Sequence, residues 1–227
     1  MCGRFAQTSP LRVYADMLHM REPGENVGEK IPQYDLRPSM CPTLIHWFET
    51  ELALLSYYWG FLPYWAKEAK GPGGVRPINA RVETAASNAM FRHAWTHQRC
   101  LIPADAFYEW ALVPGHGKQR YCLRRRNHEP MMLAGLWDHW RPKEGGDIIP
   151  TCVILTGEPN AVAARVHDRM PVILAPETWD AWLSPELRDA RKVRELVSIT
   201  PAGELEAYPV RNNGTDAELF EQVATVP

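Results

Sequence analysis

The sequence lacks the excess of positive charge that is typical of nucleic-acid-binding domains. Its 25 lysines and arginines nearly balance 27 aspartates and glutamates, and the formal net charge at pH 7 is -2. The chain as a whole therefore exerts no long-range attraction on DNA. Any contact with a nucleic acid must come from a local group of basic side chains, and the overall balance taken alone favours an enzyme that acts on small molecules.

Cysteine is scarce and irregularly spaced. The five cysteines occupy positions 2, 41, 100, 122 and 152, and no two of them have the Cys-x-x-Cys spacing. An odd number without such spacing argues against a disulfide framework and against a zinc site. We therefore predict reduced thiols, no metal, no cofactor and a cytoplasmic location, associated with the nucleoid if the source is bacterial.

Long apolar runs are also missing. The start Met1-Cys2-Gly3-Arg4-Phe5 has no apolar segment of a secretory signal, and no run approaches the roughly 20 residues needed to span a bilayer. No repeat, low-complexity stretch or break in composition is visible. The sequence predicts one domain over residues 1–227. We expect the protein to be a monomer that does not associate with membranes.

Hydrophobic patterning predicts many short strands and few helices. A first helix begins at Ser9-Pro10 and buries Leu11, Tyr14, Ala15 and Leu18. Loops are expected over 21–30 and 67–77, and further helices over 160–166, 176–183 and from 184–185 to 196. The strand-like runs are 44–48, 52–59, 100–102, 106–110, 119–123, 131–137, 151–156 and 172–174. This pattern predicts an α+β fold with a curved antiparallel β-barrel-like core and peripheral short helices.

Cys2 is the strongest chemical signal. Its small side chain permits removal of Met1, which would expose an α-amine beside a thiol. The ordinary pKa values, about 7.7–8.0 for the amine and about 8.5 for the thiol, leave both groups partly deprotonated near pH 7. With an aldehyde, the amine can form an imine and the thiol can close onto it as a five-membered thiazolidine. The alternative is that Cys2 is simply a small residue after the start codon.

Two ionisable residues stand out further along the chain. His167 begins the run His167-Asp168-Arg169-Met170-Pro171 between a short helix and an apolar strand. It can move protons near neutral pH, or it is a surface or capping histidine. Glu109 lies in an otherwise apolar strand. It is either turned to solvent by alternation or held buried with a raised pKa, as a general acid or base would be.

A polar stretch and several aromatic residues could contact a nucleic acid. In an extended segment Asn79, Arg81 and Glu83 would share one face, which suits a phosphate and a neighbouring polar group or is a solvated strand face. The residues that could stack on bases, or belong to the core, are Trp65, Met90, Phe91 and Trp95. The run Arg124-Arg125-Arg126 is interpreted as a solvated strand end.

Five segments in order resemble the SRAP (SOS response-associated peptidase) family of abasic-site processing proteins. They are Met1-Cys2-Gly3-Arg4-Phe5, Trp59-Gly60-Phe61-Leu62-Pro63, Asn79-Ala80-Arg81-Val82-Glu83-Thr84, Phe107-Tyr108-Glu109-Trp110 and His167-Asp168-Arg169-Met170-Pro171. The resemblance extends from residue 2 to about residue 210.

This resemblance implies an α+β domain that binds abasic single-stranded DNA, including single-strand/double-strand junctions, and captures the abasic sugar as a thiazolidine on Cys2. It also implies lyase activity and autocatalytic removal of the first residue. The matching catalytic positions are Cys2, Asn79, Glu109 and His167, where the Glu assists proton transfer at the amine and the His helps open the sugar and reverse the link. The matching DNA-binding positions are Arg4, Pro38, Trp65, Arg81, Met90, Phe91, Thr156 and Arg169.

One segment departs from the family pattern Tyr-Asn-Val/Ile-Ala-Pro. Here it reads Tyr34-Asp35-Leu36-Arg37-Pro38, so Asp35 replaces a neutral amide and Arg37 replaces a small residue. The tail after Tyr208-Pro209-Val210 is also shorter than usual.

Two other functions remain open from the residues. An N-terminal-nucleophile thiol peptidase or amidohydrolase would use Cys2 on an amide, and a non-covalent single-strand binder would not use Cys2 at all. Reaction with an amide rather than with an abasic aldehyde would distinguish the amidohydrolase from abasic-site capture. DNA binding that is unchanged when Cys2 is substituted would distinguish the non-covalent binder.

Overall fold

Thirteen strands and four short α-helices form in this computed structural model, which describes residues 2–20, 32–214 and 216–224. The strands are β1 Arg4–Gln7, β2 Gln33–Leu36, β3 Thr43–Phe48, β4 Glu51–Ser56, β5 Tyr58–Trp59, β6 Asn79–Arg81, β7 Arg99–Ala104, β8 Ala106–Val113, β9 Gly117–Arg125, β10 Met131–Trp140, β11 Ile149–Gly157, β12 Met170–Pro171 and β13 Leu205–Pro209. The helices are α1 Leu11–Met17, α2 Arg92–His97, α3 Trp179–Leu183 and α4 Ala190–Glu195, and short 3-10 turns occur at Pro72–Gly74, Ala163–Arg165, Pro176–Thr178, Ala202–Glu204 and Ala217–Phe220.

The strands form two mostly antiparallel sheets. One has the order β13-β9-β8-β1-β2 and the other β12-β11-β10-β7-β3-β4, with β5 and β6 pairing in parallel with β11. This is the mixed α and β architecture, with few short helices, that the strand pattern predicts. Over the described ranges neither sheet closes on itself, so the barrel-like detail is not confirmed. None of the helices in the described part is long and apolar enough to cross a membrane.

Alternation in the five-stranded sheet decides which side chains reach the core. Phe5 on β1 lies opposite Phe107 on β8, which lies opposite Leu123 on β9, and all three are fully buried in one cluster. Because side chains two apart on a strand share a face, Glu109 is carried to the same face as Phe107. Arg4 and Tyr108 face each other on the opposite side of the sheet.

Most predicted strands are confirmed, whereas two predicted elements are wrong and a third, the last helix, begins later than predicted. Residues 172–174 do not extend a ladder: Val172 donates its N–H to Leu155 on β11 and accepts from Ala134 on β10, so the segment bridges two strands. The helix expected over 160–166 is only the 3-10 turn Ala163–Arg165, because Asn160 Oδ1 accepts from nearby backbone N–H groups. The last helix begins after Asp189, whose side chain caps it.

The start of the chain also differs in detail from the sequence-based interpretation. Ser9 does not cap α1; its hydroxyl donates to Asp105, which also accepts from the Tyr14 hydroxyl at 2.7 Å. Tyr14 and Ala15 are buried as expected. Glu83 lies beyond the end of β6, so only Asn79 and Arg81 share the strand face predicted for all three. The loop expected over 21–30 lies outside the described residues.

Gly135 on β10 marks a close approach in the core. A Cβ there would lie 2.7 Å from Ile102 Cδ1 and 2.8 Å from Cys100 Sγ. We expect Gly135→Ala to lower the free energy of unfolding by about 1–3 kcal/mol, because a methyl group overpacks this site. Urea denaturation measures the change, and Gly203→Ala is the control, since nothing lies within 4 Å of a Cβ at Gly203. Equal midpoints for the two variants would contradict this packing.

Candidate active site

Asn79 connects the second sheet to the start of the chain. It lies on β6, which pairs in parallel with β11 so that Asn79 is opposite Ile154. Its Nδ2 donates a hydrogen bond of 2.8 Å to the carbonyl oxygen of Cys2. Its Oδ1 is buried and has no hydrogen-bond partner among the described residues. Asn79 therefore holds the backbone of Cys2 in place and keeps one acceptor aimed into the site.

Cys2 is fully buried beside Phe5 and Trp59. Burial raises the pKa of its thiol well above the ordinary value, and the negative charge of Glu109 acts in the same direction. In the folded chain that retains Met1, this thiol is therefore less ionised near pH 7 than its ordinary pKa predicts. Because the thiol retains its proton, its attack on an imine requires a base close by.

Glu109 is the carboxyl group whose charge acts on this thiol. It lies on β8 opposite Tyr121 and is only 5% exposed, so the buried alternative is correct. Burial raises the pKa of its carboxyl to about 7, and the charge of Asp168 also raises it. A carboxyl group with this pKa exists in both forms near neutral pH and can accept or donate a proton.

His167 follows the turn Ala163–Arg165 and is partly buried. Burial lowers its pKa below the ordinary value, so the ring is neutral near pH 7. Nδ1 accepts a hydrogen bond of 3.0 Å from the N–H of Arg169, which places the proton of the neutral ring on Nε2. Nδ1 also lies 2.9 Å from Oδ1 of the exposed Asp168, which can accept a hydrogen bond once Nδ1 is protonated. The ring thus has a partner in both charge states.

Cys2, Asn79 and Glu109 lie close together, and His167 is linked to them through its neighbour Asp168. Asn79 contacts Cys2, the charge of Glu109 acts on the Cys2 thiol, and the charge of Asp168, next to His167, acts on Glu109. The site therefore combines a buried thiol, a carboxyl group that titrates near pH 7 and a neutral imidazole. No cluster of three metal-ligating side chains occurs in the described residues. This arrangement suits nucleophilic chemistry with proton transfer.

The arginines at the predicted DNA-binding positions differ in their partners. Arg81 is exposed on β6 and makes no ion pair with any described residue. Arg169 is held by two hydrogen bonds of 2.8 Å to Glu83 and one of 2.6 Å to the carbonyl of buried Thr156. Arg4 donates to Asp35 at 2.6 Å. Arg81 is thus the freest of these cations to meet a phosphate.

The other residues predicted to contact DNA or to stack on bases are also placed unequally. Pro38 and Trp65 are exposed and Met90 is partly buried. Phe91 is only 7% exposed and packs against Phe61 with ring centroids 5.4 Å apart. Trp95 is fully buried, which confirms its alternative assignment to the core.

Arg120 is the residue that sequence reasoning missed. Its side chain is fully buried and its Nη2 donates to Asp35 Oδ1 at 2.7 Å. Asp35, which departs from the family pattern, was the only indication in the sequence that such a residue exists, because a buried carboxylate requires a cation close to it. The sequence does not show which cation that is.

Comparisons with known proteins agree over nearly the whole chain. The model of the family described as SOS response associated peptidase (SRAP) matches residues 1–214. The chain is 34% identical over 210 residues to the abasic site processing protein YoqW of Bacillus subtilis, covering 92% of each chain. It is 30% identical over 239 residues to the abasic site processing protein YedK of Escherichia coli, covering 98% of this chain and all of the other.

A solved structure shares the fold. A crystal structure of a protein from Bacteroides thetaiotaomicron matches 98% of this chain with a TM-score of 0.86 at 22% sequence identity.

Proposed function

The chain belongs to the SOS response associated peptidase family, whose members YoqW and YedK are named abasic site processing proteins, and on that premise we propose that it captures abasic sites in single-stranded DNA covalently through Cys2. The observation that carries the proposal is that Cys2 accepts a hydrogen bond from Asn79 and lies close to the carboxyl group of Glu109. A structural cysteine has no need of a carboxyl group that titrates near pH 7 beside it.

The chemistry begins when Met1 is removed and the α-amine of Cys2 becomes available. The amine nitrogen attacks the aldehyde carbon of the ring-opened abasic sugar, and loss of water gives an imine. The Cys2 sulfur then bonds to the imine carbon, its proton is removed, and the nitrogen gains a proton. The product is a thiazolidine, and its closure is fast because both nucleophiles belong to one residue.

Glu109 and His167 supply the proton transfers. Ionised Glu109 takes a proton from the α-ammonium group and gives it to the hydroxyl that leaves as water when the imine forms. Ionised again, it takes the proton of the thiol, whose raised pKa otherwise prevents attack, and this proton passes to the nitrogen of the thiazolidine. Neutral His167 takes and returns a proton at the sugar, which is mostly a closed ring before reaction. Asn79 is the positioning residue, because it holds the Cys2 carbonyl.

Denaturing gel electrophoresis tests the proposal directly. The wild-type protein is incubated with a single-stranded oligonucleotide containing one abasic site, and with the same oligonucleotide carrying an intact base. We expect a band that survives denaturation only with the abasic strand. Binding without such a band would favour a non-covalent single-strand binder, and cleavage of an amide substrate without it would favour a thiol amidohydrolase.

Arg81 should contribute one phosphate contact to the binding of DNA. We expect Arg81→Ala to reduce the slope of log K against log salt concentration by about 0.7, the effect of one released counterion on a single strand. Fluorescence anisotropy with intact single-stranded DNA measures it. Arg126→Ala is the matched control, because Arg126 is also exposed but follows the far end of β9. If both variants kept the wild-type slope, Arg81 would not contact phosphate.

A further inference from the structure

Three arginines surround one buried carboxylate close to the start of the chain. Asp35 on β2 has a side chain that is only 3% exposed. It accepts hydrogen bonds from Arg4, Arg37 and Arg120, and burial is outweighed by these bonds, so that the pKa of Asp35 lies below its ordinary value. Asp35 is therefore an anion near neutral pH.

The two accessible arginines converge on the same oxygen of Asp35. Arg4 Nη1 lies 2.6 Å from Oδ2, and Arg37 reaches Oδ2 with Nη2 at 2.6 Å and with Nε at 2.8 Å. Hydrogen bonds this short to one atom bring the two guanidinium groups side by side. The other oxygen, Oδ1, is held by fully buried Arg120 at 2.7 Å.

Arg120 makes the anchor rigid. Its guanidinium carbon lies 3.9 Å from the ring centroid of Tyr108 and 5.2 Å from that of Trp110. Movement of this guanidinium group would break its contacts with both aromatic rings. Arg120 therefore holds Asp35 in position from the buried side. Asp35 in turn positions the guanidinium groups of Arg4 and Arg37 on the solvent-exposed side.

The charge of this cluster is not balanced. Among the described residues, three guanidinium groups face a single carboxylate, so two positive charges are in excess within this part of the chain. Asp35 is hidden, whereas the side chains of Arg4 and Arg37 are 31% and 46% exposed. Of these described charged groups, solvent therefore meets the two cations, and each guanidinium has five N–H donors, more than Asp35 uses. Neutralising Asp35 alone would require one arginine, and Arg120 already provides it.

We propose that Arg37, held beside Arg4 by Asp35, adds a second guanidinium group to the contact of Arg4 with one backbone phosphate of single-stranded DNA, next to the nucleotide that reacts with Cys2. Two adjacent guanidinium groups match the oxygens of a phosphodiester. Arg4 is two residues from Cys2, a distance of at most about 7 Å along an extended chain. This proposal rests on the proposed function, and it assigns a role to Arg37, which stands where the family pattern has a small residue.

The test measures affinity for an intact single-stranded oligonucleotide at several salt concentrations. We expect Arg37→Ala to reduce the slope of log K against log salt by about 0.7, because one phosphate contact is lost. Arg37→Gln should reduce it equally while still donating to Asp35, so a folded variant without the charge remains if the alanine variant is unstable. Arg37→Lys should keep most of the slope, and the control Arg126→Ala should keep all of it.

The outcomes separate this proposal from the proposed function. A wild-type slope for both Arg37→Ala and Arg37→Gln would overturn the phosphate contact, even if wild-type protein formed the covalent adduct with abasic DNA. An adduct missing from wild-type protein, together with a reduced slope in these variants, would overturn the covalent capture and leave the phosphate contact standing. Absence of any DNA binding by wild-type protein would overturn both.

Discussion

Replacing Cys2 with alanine is expected to abolish the adduct that survives denaturation, while affinity for intact single-stranded DNA stays close to that of the wild type. Alanine still permits removal of Met1 and leaves an α-amine, so an imine can form, but without a sulfur it cannot close to a thiazolidine. Incubation with abasic DNA followed by a denaturing gel measures the loss. Reduction with borohydride during incubation should recover a band from Cys2→Ala, because it traps the imine.

Cys41→Ala is the matched control for the thiol. Cys41 is the exposed free cysteine, whereas Cys2 is buried, so a non-specific reaction of thiols with aldehydes would depend on Cys41. We expect this variant to form the adduct as the wild type does. An equally stable, unreduced adduct from Cys2→Ala would contradict the thiazolidine. Mass spectrometry of the purified wild type should show a chain without Met1, since retention of Met1 would remove the amine.

Glu109→Gln is expected to slow formation of the adduct by about 10²–10⁴, the usual contribution of a general acid or base. The substitution keeps the shape of the side chain and removes its ability to take a proton. The carboxyl has a pKa of about 7 and acts in its ionised form, so the Glu109-dependent part of the rate should rise as pH increases through about 7. Time courses from pH 5.5 to 8.5, roughly one and a half units on each side, should show this rise in the wild type and not in the variant.

Two further variants separate catalysis from a loss of structure. Glu129→Gln changes an exposed glutamate between β9 and β10, and it should keep the wild-type rate and pH profile. His167→Ala should slow the forward or the reverse reaction without reducing affinity for intact DNA. The depressed pKa of His167 means that its contribution as a base persists to lower pH than that of an exposed histidine. Wild-type rates in both directions for Glu109→Gln and His167→Ala would leave both residues with structural roles only.

Local sequence pattern predicted the parts of this protein that depend on near neighbours. Short apolar runs between turn residues located both strands of the hairpin β3–β4 and the positions of β7 to β11, of which β7 and most of β10 and β11 are buried on both faces. The pattern failed at residues 172–174 and 160–166, where hydrogen bonds from other strands or from a side chain decide the backbone. The chemical character of Cys2, and the ordered motifs that show the family, were likewise visible in the sequence.

The environment of each reactive group was decided only by the tertiary structure. Alternation left Glu109 either exposed or buried, and the packing of β8 against its neighbours in the five-stranded sheet is what buried it and raised the pKa of its carboxyl. The ordinary pKa of a cysteine thiol predicted partial ionisation of Cys2, whereas burial beside Glu109 raises the pKa of this thiol in the folded chain that retains Met1. Asp35 was visible in the sequence as a departure from the family pattern, but its partner Arg120 lies 85 residues away along the chain. Residue identity sets what chemistry is available, whereas pKa and pairing depend on desolvation and on charges brought close by long-range strand pairing, which no local window contains.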